Sequence, residues 1–170
     1  MNDQDVVIVE AVRTATGRRN GSLSGVHPVV LLAQVLNELM RRAGLPAEVV
    51  EDVVCGCVDQ VGEQTANIGR NALLTAGFPY TIPATTVDRQ CGSGQQAVHF
   101  AANLIQSGVV DVAIGCGVES MSRVPILSAM EDGMKAGHGI PMAPELVERY
   151  PLVMQGTAAD MIAKQWNVSR

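Results

Sequence analysis

Short β-branched apolar runs alternate with punctuated helical segments along the first two thirds of this chain, and that alternation limits its fold more than any other feature. Residues 6–9, 53–58, 84–87 and 112–116 are apolar runs too short for helices and suited to strands buried on both faces. Pro28 stands near the start of the first helical segment, and Gly44 and Pro46 stand just past its end. Val29, Leu32, Ala33, Leu36, Met40 and Ala43 recur there at helical spacing, while Arg41 and Arg42 complement the C-terminal dipole. Residues 68–76 form a second helical segment, closed by Gly77 with Pro79 beyond. A third carries Ala97, Val98, Ala101, Leu104 and Ile105 on one face and ends near Gly108. The order β-α-β-α-β-α-β predicts an α/β fold, a mostly parallel sheet with helices on its faces.

Composition narrows the function classes. The 170 residues have the length of one domain, and 47% hydrophobic content supplies a core. With only 3% aromatic residues, that core is built from Val, Ala, Leu, Ile and Met, which suits helices packed on a sheet. A formal charge of -5 argues against an electrostatic grip on nucleic acid or on an anionic membrane. No apolar run approaches the roughly 20 residues that span a bilayer. The polar, acidic start Met1-Asn2-Asp3-Gln4-Asp5 is unlike a secretory signal or a transit peptide. Four cysteines without a CxxC pair suggest neither a metal site nor a disulfide framework. Cys55, Cys57 and Cys116 fall in apolar runs as reduced packing residues, which fits a cytoplasmic setting.

After Glu119 the character changes. Residues 121–155 are rich in Met, Pro and Gly with little sustained periodicity, as in functional or interface segments. A last helix is marked by Thr157 and Asp160 as a capping-box pattern, with Ala159, Ile162, Ala163 and Trp166 on one face.

Chemistry concentrates at Cys91, in Val87-Asp88-Arg89-Gln90-Cys91-Gly92-Ser93-Gly94-Gln95-Gln96-Ala97. The cysteine lies between a strand run and a helix expected to begin at the cysteine itself. Three readings compete. In the first, Gly92, Ser93 and Gly94 are small only so that a strand-to-helix turn can pack. In the second, Gly92 to Ala97 is a G-x-G-x-x-A dinucleotide loop, with Glu119 as the acidic ribose ligand. The dinucleotide fingerprint normally follows the first strand of its unit, however, and here two strand–helix units precede it. In the third, the thiol is a nucleophile. Peptide NH groups and the positive end of a helix dipole favour thiolates, and small neighbours leave room for a bulky acyl thioester.

A resemblance decides between them. TTVDRQCGSGQQAVHFAANLIQSGVVDVAIGCGVESMSRVP resembles the acylation-site region of the thiolases, the acetyl-CoA acetyltransferases and 3-ketoacyl-CoA thiolases. VVIVEAVRTATGRRNGSLSG resembles their opening strand and loop, and GCVDQVGEQTANIGRNALLTAGFP their second strand and helix. GTAADMIAKQW resembles the helix that follows their CoA-covering loop; residues 121–153 match least. The resemblance implies a thiolase-like N-terminal α/β domain, its mostly parallel mixed sheet incomplete, over residues 1–118. Residues 119–170 would begin the CoA-covering and oligomerisation loop domain. It makes Cys91 the acyl-accepting nucleophile, with its backbone NH in an oxyanion hole, and makes coenzyme A a substrate with no permanently bound cofactor. Acyl-CoA and CoA are the implied small-molecule partners, and a homodimer or homotetramer the implied assembly.

Departures from the family pattern qualify the details. Asp88 stands where many members have Asn, and Gln95 where many have Leu, as in a branch with degradative and steroid-side-chain thiolases. Met154 and Gln155 occupy the place of a substrate-contacting His-Met pair. The family's activating His and second Cys have no counterpart here; His27, His99 and His138 are structural or solvated histidines. The chain therefore resembles the first part of an enzyme of about twice its length or more, inactive alone. Other condensing enzymes of the same fold, of ketosynthase or hydroxymethylglutaryl-CoA synthase type, are the nearest alternative. A non-catalytic acyl-CoA-binding protein with a thiolase-like domain is the alternative from another class.

Overall fold

The computed structural model describes residues 5–169. Three strands, β1 (Asp52–Gly56), β2 (Ala84–Val87) and β3 (Ala113–Gly117), form a parallel sheet in the order β2-β1-β3. No antiparallel pair occurs among the described residues. Helix α1 (Pro28–Ala43) precedes β1, α2 (Ile68–Thr75) joins β1 to β2, and α3 (Ser93–Gln106) joins β2 to β3. The step from β1 to β2 and the step back from β2 across to β3 run in opposite directions. Right-handed crossovers therefore put α2 and α3 on opposite faces of the sheet.

Side-chain alternation along the strands serves both faces. On one, Leu32, Leu36, Val53, Cys55, Ile68 and Leu73 build a core in which each is at most 1% exposed. Gly69 lets α2 approach so closely that a Cβ there would lie 2.6 Å from the Cβ of Cys55. On the other, α3 rests on Gly56, Gly115 and Gly117: a Cβ on Gly56 would lie 2.3 Å from the carbonyl carbon of Ser93, and one on Gly115 would lie 2.6 Å from Cα of Val98. Backbone thus packs on backbone, and α3 sits lower on the sheet than any side chain would permit.

Helix boundaries follow their punctuation where capping is local. α1 opens at Pro28 with the His27 ring accepting from the Val29 NH at 3.3 Å, and closes at Gly44 in the left-handed region at φ 66. Three expectations need correction. Residues 6–9 join no ladder; Val7, Ile8 and Val9 are 60%, 79% and 69% exposed. A strand exists only where a partner stands about 4.8 Å away, and a groove of about 720 Å³ separates this extended segment from the outer edge of β3. Helix α3 begins at Ser93 with Gly92 as its cap, two residues beyond Cys91. The capping box fails as well: α6 (Gln155–Trp166) begins before Thr157, and its cap, Met154, makes no side-chain bond.

The chain divides into two compact units, one ending at Ala129 and the other starting at Met130. Residues 121–155 contain two helices that periodicity did not mark, α4 (Ser128–Lys135) and α5 (Pro144–Arg149). Both are shorter than the window in which a 3.6-residue repeat becomes visible. Lys135 pairs with Glu131 and Asp132 along α4, and Pro144 opens α5.

Candidate active site

The C-terminal ends of the three strands converge on one rim, marked by Gly56, Val87 and Gly117. In parallel α/β sheets this is where ligands bind. The chain leaves β2 at Val87, whose carbonyl still accepts from the Cys57 NH at 3.1 Å, and turns sharply into α3. Asp88 Oδ1 accepts from the Gln90 NH at 2.7 Å. Gln90 lies in the left-handed region at φ 49, and its carbonyl accepts from the Ser93 NH at 3.0 Å and the Ser93 hydroxyl at 2.6 Å. Ser93 Oγ also accepts from the Arg89 NH at 2.8 Å, and the Arg89 carbonyl accepts from the Gly92 NH at 3.1 Å. The Arg89 guanidinium donates to the side-chain carbonyl of Gln96 in α3. Ser93 and Gln96 are buried, so this turn is locked from below while Cys91 projects from its crest, exposed.

The other thiols are placed for packing. Cys55 and Cys57 are buried, and Cys116, paired in register with Cys55, is partly so. Contact with the Cys116 thiol, together with burial, pushes the Cys55 thiol far up. Burial, aided by the Glu119 carboxylate 4.0 Å away, pushes Cys57 up to about 12. Both stay protonated at neutral pH and are poor nucleophiles.

A second polar cluster anchors the segment after β3. The Glu119 carboxylate accepts from the Val58 NH at 2.7 Å, the Asp59 NH at 3.3 Å and the Gln64 amide at 2.7 Å. Gln64 Oε1 accepts from the Ser120 NH at 2.7 Å, and the Asp59 carboxylate takes the NH groups of Leu127 and Ala129, each at 3.0 Å. Glu119 is thus engaged by the protein itself, which removes the ribose ligand that a dinucleotide loop requires. Beyond it, Arg123 grips Glu63 through two bonds of 2.5 and 2.6 Å and holds that carboxyl below its ordinary range. No metal-ligating group of three His, Cys, Asp or Glu occurs among the described residues.

The remaining site expectations fall elsewhere. Met154 is 70% exposed at the cap of α6, and Gln155 is the first residue of that helix. Both belong to the second compact unit, whereas Cys91 belongs to the first. His27 caps α1; His99 is exposed on α3, and His138 is exposed beyond α4. Sequence reasoning missed the seat that Gly56 provides for Ser93 and the lock that Ser93 places on Gln90. A glycine between two cysteines of an apolar run was the available signal for the first.

An α/β domain with one exposed cysteine on a locked strand-to-helix turn, at the C-terminal rim of a parallel sheet, defines the class. The family model described as thiolase, N-terminal domain, matches residues 6–170. The chain belongs to the thiolase family, as a match to its N-terminal domain. It is 43% identical to a steroid 3-ketoacyl-CoA thiolase of Mycobacterium tuberculosis, over 98% of this chain and 42% of that protein. It is 41% identical to a 3-ketoacyl-CoA thiolase of Alcanivorax borkumensis, over 100% of this chain and 42% of that protein. The crystal structure of the Bacillus anthracis acetyl-CoA acetyltransferase superposes with a TM-score of 0.59 at 43% identity, covering 62% of this chain and 27% of that one. The chain thus spans 42% of the length of these curated relatives.

Proposed function

We propose that Cys91 is the acyl-accepting nucleophile of a thiolase, an acyl-CoA C-acyltransferase. The observation that carries this reading is the exposure of Cys91 alone at the sheet's C-terminal rim, in a chain of the thiolase family whose other thiols pack into the sheet. The Cys91 thiolate attacks the 3-keto carbon of a 3-ketoacyl-CoA. The C2–C3 bond breaks, its electron pair takes a proton, and acetyl-CoA leaves while the acyl group stays as a Cys91 thioester. A CoA thiolate then takes the acyl group and frees Cys91. Run backwards with two acetyl-CoA molecules, the same steps are a Claisen condensation. The relatives' names favour the thiolytic direction.

On this reading coenzyme A is a substrate, and no cofactor is held permanently. Residues 1–118 are the domain that carries the nucleophile, and residues 119–170 open the CoA-covering loop domain, where Met154 and Gln155 contact substrate. The general base and the second cysteine belong to the length of the relatives that this chain does not span, so the 170 residues alone turn over little substrate. The whole protein works as a homodimer or homotetramer in the cytoplasm.

Acetyl-CoA added to the full-length gene product should leave an acetyl adduct on Cys91, seen by intact mass and peptide mapping, and Cys91→Ser should abolish it. An adduct that persists at another cysteine in Cys91→Ser would sink the assignment.

A further inference from the structure

We infer that Asp88 is a positioning residue for Cys91, acting through the backbone of Gln90; the inference rests on Cys91 being the acyl acceptor. Gln90 is not glycine, yet it adopts φ 49, a conformation that side chains other than glycine disfavour and that asparagine and aspartate tolerate best. Its own side chain is exposed, so packing does not hold it there. What holds it is hydrogen bonding at both ends: Asp88 Oδ1 takes its NH at 2.7 Å, and Ser93 takes its carbonyl at 3.0 and 2.6 Å. The first is an Asx turn, a side chain standing in for a backbone carbonyl.

The peptide that Gln90 shares with Cys91 carries the Cys91 NH and fixes the direction of its Cα–Cβ bond. Relaxation of Gln90 to an extended or right-handed conformation would rotate that peptide and re-aim both the sulfur and the NH beside it. The turn cannot adjust by sinking, because Gly56 already brings β1 into contact with Ser93. The strain therefore has one release, at Gln90, which Ser93 restrains from the carbonyl side and the Asp88 carboxylate from the NH side. Strain of this kind at a reacting residue is what preorganises a nucleophile.

The test is a suppressor set in the full-length protein: Asp88→Ala, Asp88→Asn, and Asp88→Ala combined with Gln90→Gly. Two rates are read at one pH, acylation of Cys91 by acetyl-CoA and alkylation of Cys91 by iodoacetamide, with thermal melting as a check on folding. Asp88→Ala should slow acylation about tenfold or more, in line with what an ångström of misplacement costs. Asp88→Asn keeps the Oδ1 acceptor and should stay within about twofold of the parent, well inside the spread that a lost alignment produces. Gln90→Gly should recover most of the Asp88→Ala loss, because glycine occupies φ 49 without help. Acylation of Asp88→Ala at the parent rate, a defect in Asp88→Asn equal to that in Asp88→Ala, or no recovery with Gln90→Gly would each overturn the inference. If the parent protein does not acylate Cys91, the thiolase reading fails. The alkylation rates of the same variants then still decide whether Asp88 aims the thiol.

Discussion

Cys57 and Cys91 carry the same sulfur, yet the fold gives them opposite chemistry. Cys57 lies just past the end of β1 at 1% exposure, where burial, aided by the Glu119 carboxylate beside it, pushes its thiol up to about 12 from an ordinary value of 9.0. Cys91 stands on the crest of a turn in solvent. Iodoacetamide at pH 8 should therefore modify Cys91 in the native protein and leave Cys55 and Cys57 intact until denaturant is added. Mass mapping of a time course reads this directly, and rapid native labelling of Cys57 would contradict the burial. The same shift has a pH signature. Because the native state holds the Cys57 proton more tightly than the unfolded state does, its contribution to stability is fully present below about pH 9 and is lost as pH rises toward 12. Melting temperature should decline above pH 9, and less steeply in Cys57→Ser than in the parent. Parallel alkaline limbs for the two proteins would remove Cys57 from that linkage.

Among the elements, α3 has its height and tilt set by glycines rather than by interlocking side chains. Gly56 and Gly94 face each other across this contact, and they should respond oppositely to an added methyl. Gly56→Ala forces a Cβ to within 2.3 Å of Ser93 backbone, so it should destabilise by about 1–3 kcal/mol as an overpacked core does. Gly94→Ala meets nothing within 4 Å and lies in the first turn of a helix, so it should be neutral or stabilising by up to about 1 kcal/mol. Urea denaturation of both variants measures the contrast, and equal effects would mean that α3 is free to shift. The same elements show what could be seen in the sequence and what could not. Pro28 and Gly44 delimit α1 because a cap is a local event, and both ends were legible. The start of α3 was not, because the turn needs Cys91 and Gly92 outside the helix, held by Asp88 and Ser93. Glu119 binds groups 55 to 61 residues away, a partnership that no local pattern reports. The place of Cys91 between strand and helix was legible, and the structure adds that it is exposed there.

At the scale of the first compact unit, the sheet has two open edges and an apolar strip that nothing described here covers. β2 and β3 are the outer strands of a three-stranded sheet, and neither has a further strand beside it among the described residues, although the Asn67 side chain donates to the Ala84 carbonyl of β2 at 2.8 Å. Beside β3 lies the groove of about 720 Å³, walled by Val7 and Val9 on one side and by Ile105, Ile114 and Cys116 on the other. An extended apolar segment that should pair but does not, facing a strand edge that should be covered but is not, is the arrangement that drives edge-to-edge association. A charge of -5 gives modest repulsion against it. Purified as these 170 residues, the protein should form concentration-dependent dimers or larger species at about 100 μM, within the range where exposed edges aggregate. Light scattering coupled to size exclusion measures the mass across a dilution series. Ile8→Lys and Val9→Lys place charges on residues that are 79% and 69% exposed, so they should shift the distribution toward monomer with little change in melting temperature. A monodisperse parent at the highest concentration would show that the groove and the open edges are closed in solution by the chain's own residues.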